Sequence, residues 1–178
     1  MRLKIESKKH EEKLKKIKVL IFDLDGILTD GTVWWQGEEV GFNRKFNIYD
    51  GYGFRVLMKA GLKVGVVTGG NSLSVTKRTE QLGLDFCYVG KEDKREAYLD
   101  ILKLYNVSDE QVLYMGDELF DMPLLKRAGF SATVPNTSDE VKEIVDYITE
   151  RKSGEGCARE VMDLVRYAQG ILPYHEEF

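Results

Sequence analysis

Apolar residues along this chain fall into short unbroken runs that alternate with longer stretches of helical spacing. Val19-Leu20-Ile21-Phe22, flanked by Lys18 and Asp23, shows no alternation and predicts a strand over 18–23 that is covered on both faces. Comparable runs predict strands at 63–70, 86–90, 111–117, 130–134 and 145–149. Between them, the patterning predicts helices over 51–61, 71–83, 93–106, 119–129 and 156–170, with Asn71 or Ser72 as N-cap of the second. Residues 33–35 and 41–46, separated by a connection that contains Gln-Gly-Glu-Glu, read as a β-hairpin. Strands alternating with helices of about a dozen residues predict an α/β, doubly wound, mainly parallel sheet with helices on both faces.

Composition narrows the class of function. With 178 residues and 43% hydrophobic content, one sizeable core and a single domain are expected. Thirty acidic residues against 26 basic ones give a net charge of −4, which excludes the usual profile of a nucleic-acid binder. The first 16 residues are dense in Lys and Glu and read as a solvated helix or a frayed arm rather than an electrostatic docking site. That segment lacks the apolar centre of a signal peptide, and no run of about 18 apolar residues occurs, so a soluble cytoplasmic protein is expected. Cys87 lies in an apolar run and reads as a buried thiol, far in sequence from Cys157. His10 and His175 stand near opposite ends, which leaves the chemistry to carboxylates, Thr and Lys.

Asp23, Thr68 and Asp117 each stand where an apolar run gives way to polar, Gly-rich sequence. In a doubly wound sheet the carboxyl ends of the strands line the ligand crevice, so these three residues are expected to converge. Asp25 follows Asp23 by two residues, and Asp117 is joined by Glu118 and Asp121. Such crowding calls for a hard divalent cation, and oxygen donors favour Mg2+ over zinc. Thr68 and Gly69, at a helix start, offer a hydroxyl and N–H groups to a phosphate, with Lys94 or Lys91 adding positive charge. Together they fit phosphoryl transfer, with a carboxylate able to act as covalent nucleophile. Asp30 reads as a turn residue, and Asp50 as either a substrate contact or a cap of the helix that follows it.

Asp-Leu-Asp-Gly-Ile-Leu-Thr-Asp-Gly at 23–31, Thr68 of Val-Thr-Gly-Gly, Lys94, and Gly-Asp-Glu-Leu-Phe-Asp-Met-Pro at 116–123 resemble the four motifs of haloacid dehalogenase superfamily phosphatases. Residues 29–57 and 153–170 extend the resemblance to the 3-deoxy-D-manno-octulosonate 8-phosphate phosphatases. It covers 17–170, leaving 1–16 as an N-terminal extension and 171–178 as a tail. The resemblance implies a Rossmann-like fold without a cap domain and hydrolysis of a sugar-acid phosphate through an aspartyl-phosphate, in the chemistry of lipopolysaccharide biosynthesis. It implies Asp23 as nucleophile, Asp25 as acid and base, and Thr68, Gly69 and Lys94 as phosphate-binding residues. Mg2+ would lie between Asp23, the backbone carbonyl of Asp25 and Asp117, with Asp121 in support. It further implies a homotetramer in which the hairpin of residues 31–46, bearing Trp34 and Trp35, closes a neighbour's site.

Three positions depart from the family pattern. Gly70 and Glu155 stand where Arg is usual, and Glu118 where Asp is commoner. Losing two guanidinium groups bears on recognition of the substrate's carboxylate, for which Arg44, Lys45, Arg55 and Arg159 are the candidate replacements. A 2-keto-3-deoxynononate 9-phosphate is the alternative substrate. From another class, a phospho-accepting signalling module would share the sheet, Asp, Thr and Lys. Its acidic pair would lie on the first strand, however, and its acceptor on a later one.

Overall fold

The computed structural model describes residues 2–172. In chain order the elements are α1 (Arg2–Lys9), α2 (Glu11–Leu14), β1 (Val19–Phe22), β2 (Trp34–Trp35), β3 (Phe42–Asn43), α3 (Ile48–Lys59), β4 (Lys63–Val67) and α4 (Leu73–Leu82). There follow β5 (Phe86–Tyr88), α5 (Arg95–Tyr105), β6 (Val112–Met115), α6 (Met122–Arg127), β7 (Phe130–Thr133), α7 (Asp139–Lys142), β8 (Tyr147–Ile148) and α8 (Cys157–Ala168). Six strands form one parallel sheet in the order β5-β4-β1-β6-β7-β8, and β2 pairs antiparallel with β3 as a separate hairpin. The expected doubly wound α/β fold is therefore present, with a hairpin insert and no separate cap.

The unbroken apolar runs have the cause that was read from them. Leu20 and Phe22 of β1 face a core shared with Phe54 and Leu57 of α3 and Val161 and Val165 of α8. Val19 and Ile21 face the opposite layer, against Ala97, Tyr98 and Ile101 of α5 and Leu124 and Leu125 of α6. Burial on both faces makes alternation unnecessary, and each such side chain contributes about 1.5–3 kcal/mol. β1 lies between β4 and β6, which the chain reaches in opposite directions, so the crevice expected at such a switch opens at its carboxyl end.

Several local expectations change. Helix α3 starts at Ile48 rather than 51, because the Asn47 side chain accepts the Tyr49 N–H at 2.9 Å and caps it. Asp50 therefore does not cap the helix that follows it. Its Oδ1 instead accepts the Arg159 N–H at 2.7 Å, in the first turn of α8. Cys87 is exposed, correcting the expectation of a buried thiol. It sits on the short edge strand β5, where Phe86 turns inward and the next side chain must turn out.

The charged N-terminal segment packs on the domain rather than standing in solvent. Ser7 Oγ donates to the Leu164 carbonyl at 2.8 Å, Arg2 reaches Glu160 at 3.0 Å, and Leu14 is fully buried. Its lysines face water while a few small or apolar positions meet α8, so charge density conceals a docking face. No helix among the described residues is long and apolar enough to cross a membrane. His175 and most of the tail at 171–178 lie outside the described residues.

Candidate active site

β1 ends at Phe22, and the next residue, Asp23, is held by its N–H to the Met115 carbonyl at 2.8 Å. β4 ends at Val67, placing Thr68 beside it, and β6 ends at Met115, two residues before Asp117. The strand ends alone thus deliver three polar side chains to one rim. Gly26, at φ +90°, turns the chain after β1. A Cβ there would collide with the Asp117 carboxylate, so this residue must lack one for the two loops to meet.

Among the described residues, Asp23, Asp117 and Asp121 bring carboxylate oxygens within 4.8 Å of one another. Lys94, fully buried at the start of α5, places Nζ 2.8 Å from Asp23 Oδ1 and 2.7 Å from Asp121 Oδ1. Asp121 is saturated as an acceptor. Oδ1 also takes the Tyr114 hydroxyl at 2.5 Å, and Oδ2 takes the N–H groups of Asp117 and Glu118, each at 3.1 Å. Asp117 is the opposite case: Oδ1 is buried with no hydrogen-bond partner. A buried anionic oxygen without a donor is costly, and a cation is its natural partner.

The electrostatics agree with that reading. Burial raises the Asp23 carboxyl to about 7 against the pull of Lys94, with Asp121 adding to the rise. Burial, then Asp23 and Asp121, raises Asp117 to about 8. Burial opposes the charge on Lys94, but the two carboxylates facing it win, and its ammonium is held above the ordinary range. The donor set is all oxygen, as a hard divalent cation requires.

Thr68 is buried and its Oγ1 accepts the Gly70 N–H at 3.0 Å. Gly70 brings Thr68 toward Asp25: a Cβ at this residue would stand 3.1 Å from Asp25 Oδ2 and 3.3 Å from Thr68 Oγ1. Asp25 is paired through both oxygens to Arg44, Nε on Oδ1 at 2.5 Å and Nη2 on Oδ2 at 2.8 Å. Of the four cations singled out in the sequence, only Arg44 meets a site residue. Arg159 pairs with Asp163 at 3.1 Å, and Lys45 and Arg55 are exposed. Lys91 is drawn to Glu96 at 3.6 Å, which leaves Lys94 as the cation on Asp23. Asp30 is a turn residue as expected, accepting the Thr32 N–H at 2.9 Å, and Glu118 and Glu155 are exposed.

Sequence reasoning passed over Tyr114, Thr133 and Thr137. Thr133 Oγ1 donates to the Gly116 carbonyl at 2.7 Å and Thr137 Oγ1 to the Asp117 carbonyl, anchoring the loop that carries Asp117. Tyr114 carried a readable signal. A tyrosine inside an apolar strand needs a partner for its hydroxyl, and the carboxylates seven or fewer residues on were the nearest candidates.

Residues 88–161 match the haloacid dehalogenase-like hydrolase family. The chain is 36% identical over 162 residues to the 3-deoxy-D-manno-octulosonate 8-phosphate phosphatase KdsC of Escherichia coli K12, covering 90% of this chain and 85% of that one. A haloacid dehalogenase superfamily hydrolase from Legionella pneumophila superposes with a TM-score of 0.88 at 39% identity, covering 93% and 91% of the two chains. The Moraxella catarrhalis 3-deoxy-D-manno-octulosonate 8-phosphate phosphatase, solved with magnesium, phosphate and the sugar acid, superposes with a TM-score of 0.86. It is 33% identical, with 91% of this chain and 92% of that one covered.

Proposed function

The chain belongs to the 3-deoxy-D-manno-octulosonate 8-phosphate phosphatase family of haloacid dehalogenase-like hydrolases, and on that premise we propose that it hydrolyses this sugar-acid phosphate with Mg2+. The observation that carries the reading is the convergence of Asp23, Asp117 and Lys94 at the carboxyl end of the central strand, with an unpartnered buried oxygen on Asp117.

Asp23 is the nucleophile. Lys94 holds its carboxylate in place and carries positive charge to the rim where the phosphoryl oxygens arrive. Thr68 and the N–H groups of the Thr68–Gly70 turn receive those oxygens at the end of β4. Attack of an Asp23 oxygen on phosphorus forms an aspartyl-phosphate and releases the sugar's oxygen, to which Asp25 gives a proton. Asp25 then takes a proton from the water that opens the aspartyl-phosphate, returning both residues to their starting states. Asp23, Asp117 and the Asp25 carbonyl would hold Mg2+, and Asp121, saturated by its donors, positions Lys94. Bound there, the ion supplies positive charge that lets an anionic nucleophile meet an anionic phosphate.

The same reading includes a homotetramer in which the hairpin of residues 31–46 covers a neighbour's site. Trp34, Trp35 and Phe42 are 37%, 53% and 51% exposed on the hairpin, which supports a partner for that surface.

The test is phosphate release with Mg2+ from 3-deoxy-D-manno-octulosonate 8-phosphate, 2-keto-3-deoxynononate 9-phosphate and an aryl phosphate, with Asp23→Asn as control. The highest kcat/KM is expected on the first, and no turnover from the variant. Preference for the nine-carbon acid would discard the substrate, and an active Asp23→Asn would discard the nucleophile.

A further inference from the structure

Both oxygens of Asp25 are engaged by one guanidinium. Arg44 Nε and Nη2 take Oδ1 and Oδ2, Nη1 donates to Ser72 Oγ at 2.7 Å, and the Arg44 side chain is only 8% exposed. A carboxyl group that serves a leaving oxygen needs one of its own oxygens directed at that atom. The bidentate pair sets Nη2 on Oδ2, the Asp25 oxygen nearest Gly70 in the Thr68–Gly70 turn, so the pair must loosen before that oxygen can face the leaving atom.

Arg44 is suited to opening it. It follows β3 on a hairpin whose large side chains are exposed, whereas Asp25 is on the turn packed against Asp117. Beside the guanidinium, Gly70 contributes no side chain. A Cβ there would crowd both Arg44 Nη2 and Thr68 Oγ1, each at 3.3 Å, so the fork lies directly beside the phosphate-binding turn. A sugar acid also brings a carboxylate, the same chemical partner that Arg44 holds in Asp25. Exchanging one carboxylate for another keeps the fork satisfied, whereas a neutral substrate offers nothing in return.

We propose that Arg44 is a specificity-determining latch: it pairs with Asp25 and moves to the carboxylate of the arriving sugar acid, freeing Asp25 for proton transfer only when an acidic substrate is bound. This rests on the sugar-acid phosphatase reading. Arg44 is a positioning residue toward Asp25 and a binding residue toward substrate.

The experiment compares wild type, Arg44→Ala and Arg44→Lys on 3-deoxy-D-manno-octulosonate 8-phosphate and on p-nitrophenyl phosphate, which carries no carboxylate. Thermal melts check that both variants fold. For Arg44→Ala, kcat/KM on the sugar acid is expected to fall roughly 10- to 100-fold, chiefly through KM. On p-nitrophenyl phosphate kcat is expected to rise, because the latch is gone and no carboxylate is needed to open it. Arg44→Lys, a charge without the fork, is expected to recover only part of the sugar-acid KM. Equal losses on both substrates, or no change on either, would overturn the proposal. If wild type ignores the sugar-acid phosphate, the substrate reading fails. The latch is then judged on the aryl phosphate alone, where a rise in Arg44→Ala sustains it and an unchanged rate overturns it.

Discussion

Lys94 and Asp23 form an ion pair at 2.8 Å in which neither side chain is more than 3% exposed. Lys94 shares the same ammonium with Asp121 at 2.7 Å, so one cation compensates two buried carboxylates. An arrangement like this is costly to break on one side, because the partners stay buried without compensation. Lys94→Met is therefore expected to abolish turnover and to cost about 3–5 kcal/mol of stability, read by phosphate release and by denaturant unfolding. Loss of activity at unchanged stability would show that the carboxylates are less desolvated than the structure has them.

The acidic cluster links stability to pH and to metal. The carboxyls of Asp23 and Asp117 have an ordinary value of 3.8; burial and then Asp121 raise the first to about 7 against the pull of Lys94, and burial, then Asp23 and Asp121, raise the second to about 8. Between those limits the folded protein holds more protons than the unfolded chain. The stability from these groups is thus complete below about pH 4 and is lost as pH rises through 7 and 8. A divalent cation binds the ionised forms and reverses that loss. Without Mg2+, Tm is expected to fall from about pH 6 to about pH 8.5, and the Tm gained on adding Mg2+ is expected to grow over the same interval. Equal gains at both ends would count against Asp23 and Asp117 as ligands.

Asp50 joins α3 to α8 by accepting the Arg159 N–H. Asp50→Ala removes that acceptor and is expected to cost about 1 kcal/mol, the usual scale for a lost helix cap. Asp50→Asn keeps an acceptor and removes a carboxyl whose titration burial raises to about 6. Its melting temperature near neutral pH is expected to match or exceed wild type. Two equally destabilised variants would show that the charge, not the hydrogen bond, matters there.

Trp35 and Phe42 stack edge-on with centroids 5.3 Å apart while both remain exposed. If the hairpin is an interface, Trp35→Glu places a charge in its apolar centre. Size-exclusion chromatography with light scattering is expected to show a smaller assembly for the variant than for wild type, with a raised KM. A wild-type monomer would end the hairpin proposal.

Much of this protein was legible in order and pattern. The apolar runs predicted the parallel strands because burial on both faces leaves no room for alternation, as Leu20 and Ile21 facing opposite cores illustrate. The strand-end positions of Asp23, Thr68 and Asp117 predicted their shared rim because parallel strands bring their carboxyl ends to one side of the sheet. The errors were of a different kind. Cys87 was misjudged because an edge strand exposes alternate side chains, and which strand is at the edge is a property of the sheet rather than of the run. The N-terminal segment was misjudged because α8, the surface it docks on, lies over 140 residues away in sequence.

What the sequence determined by itself was the cast: a doubly wound sheet, carboxylates where strands end, and a lysine and a threonine between them. These follow from periodicity and strand order, which are local or cumulative along the chain. Only the tertiary structure decided the pairings. Asp121 is filled by Lys94, Tyr114 and two N–H groups while Asp117 keeps an open oxygen, and Arg44 rather than Lys45, Arg55 or Arg159 meets Asp25. Such pairings depend on distances of a few ångströms between loops from different strands, and those are set by how the helices pack the strands together rather than by any spacing along the chain.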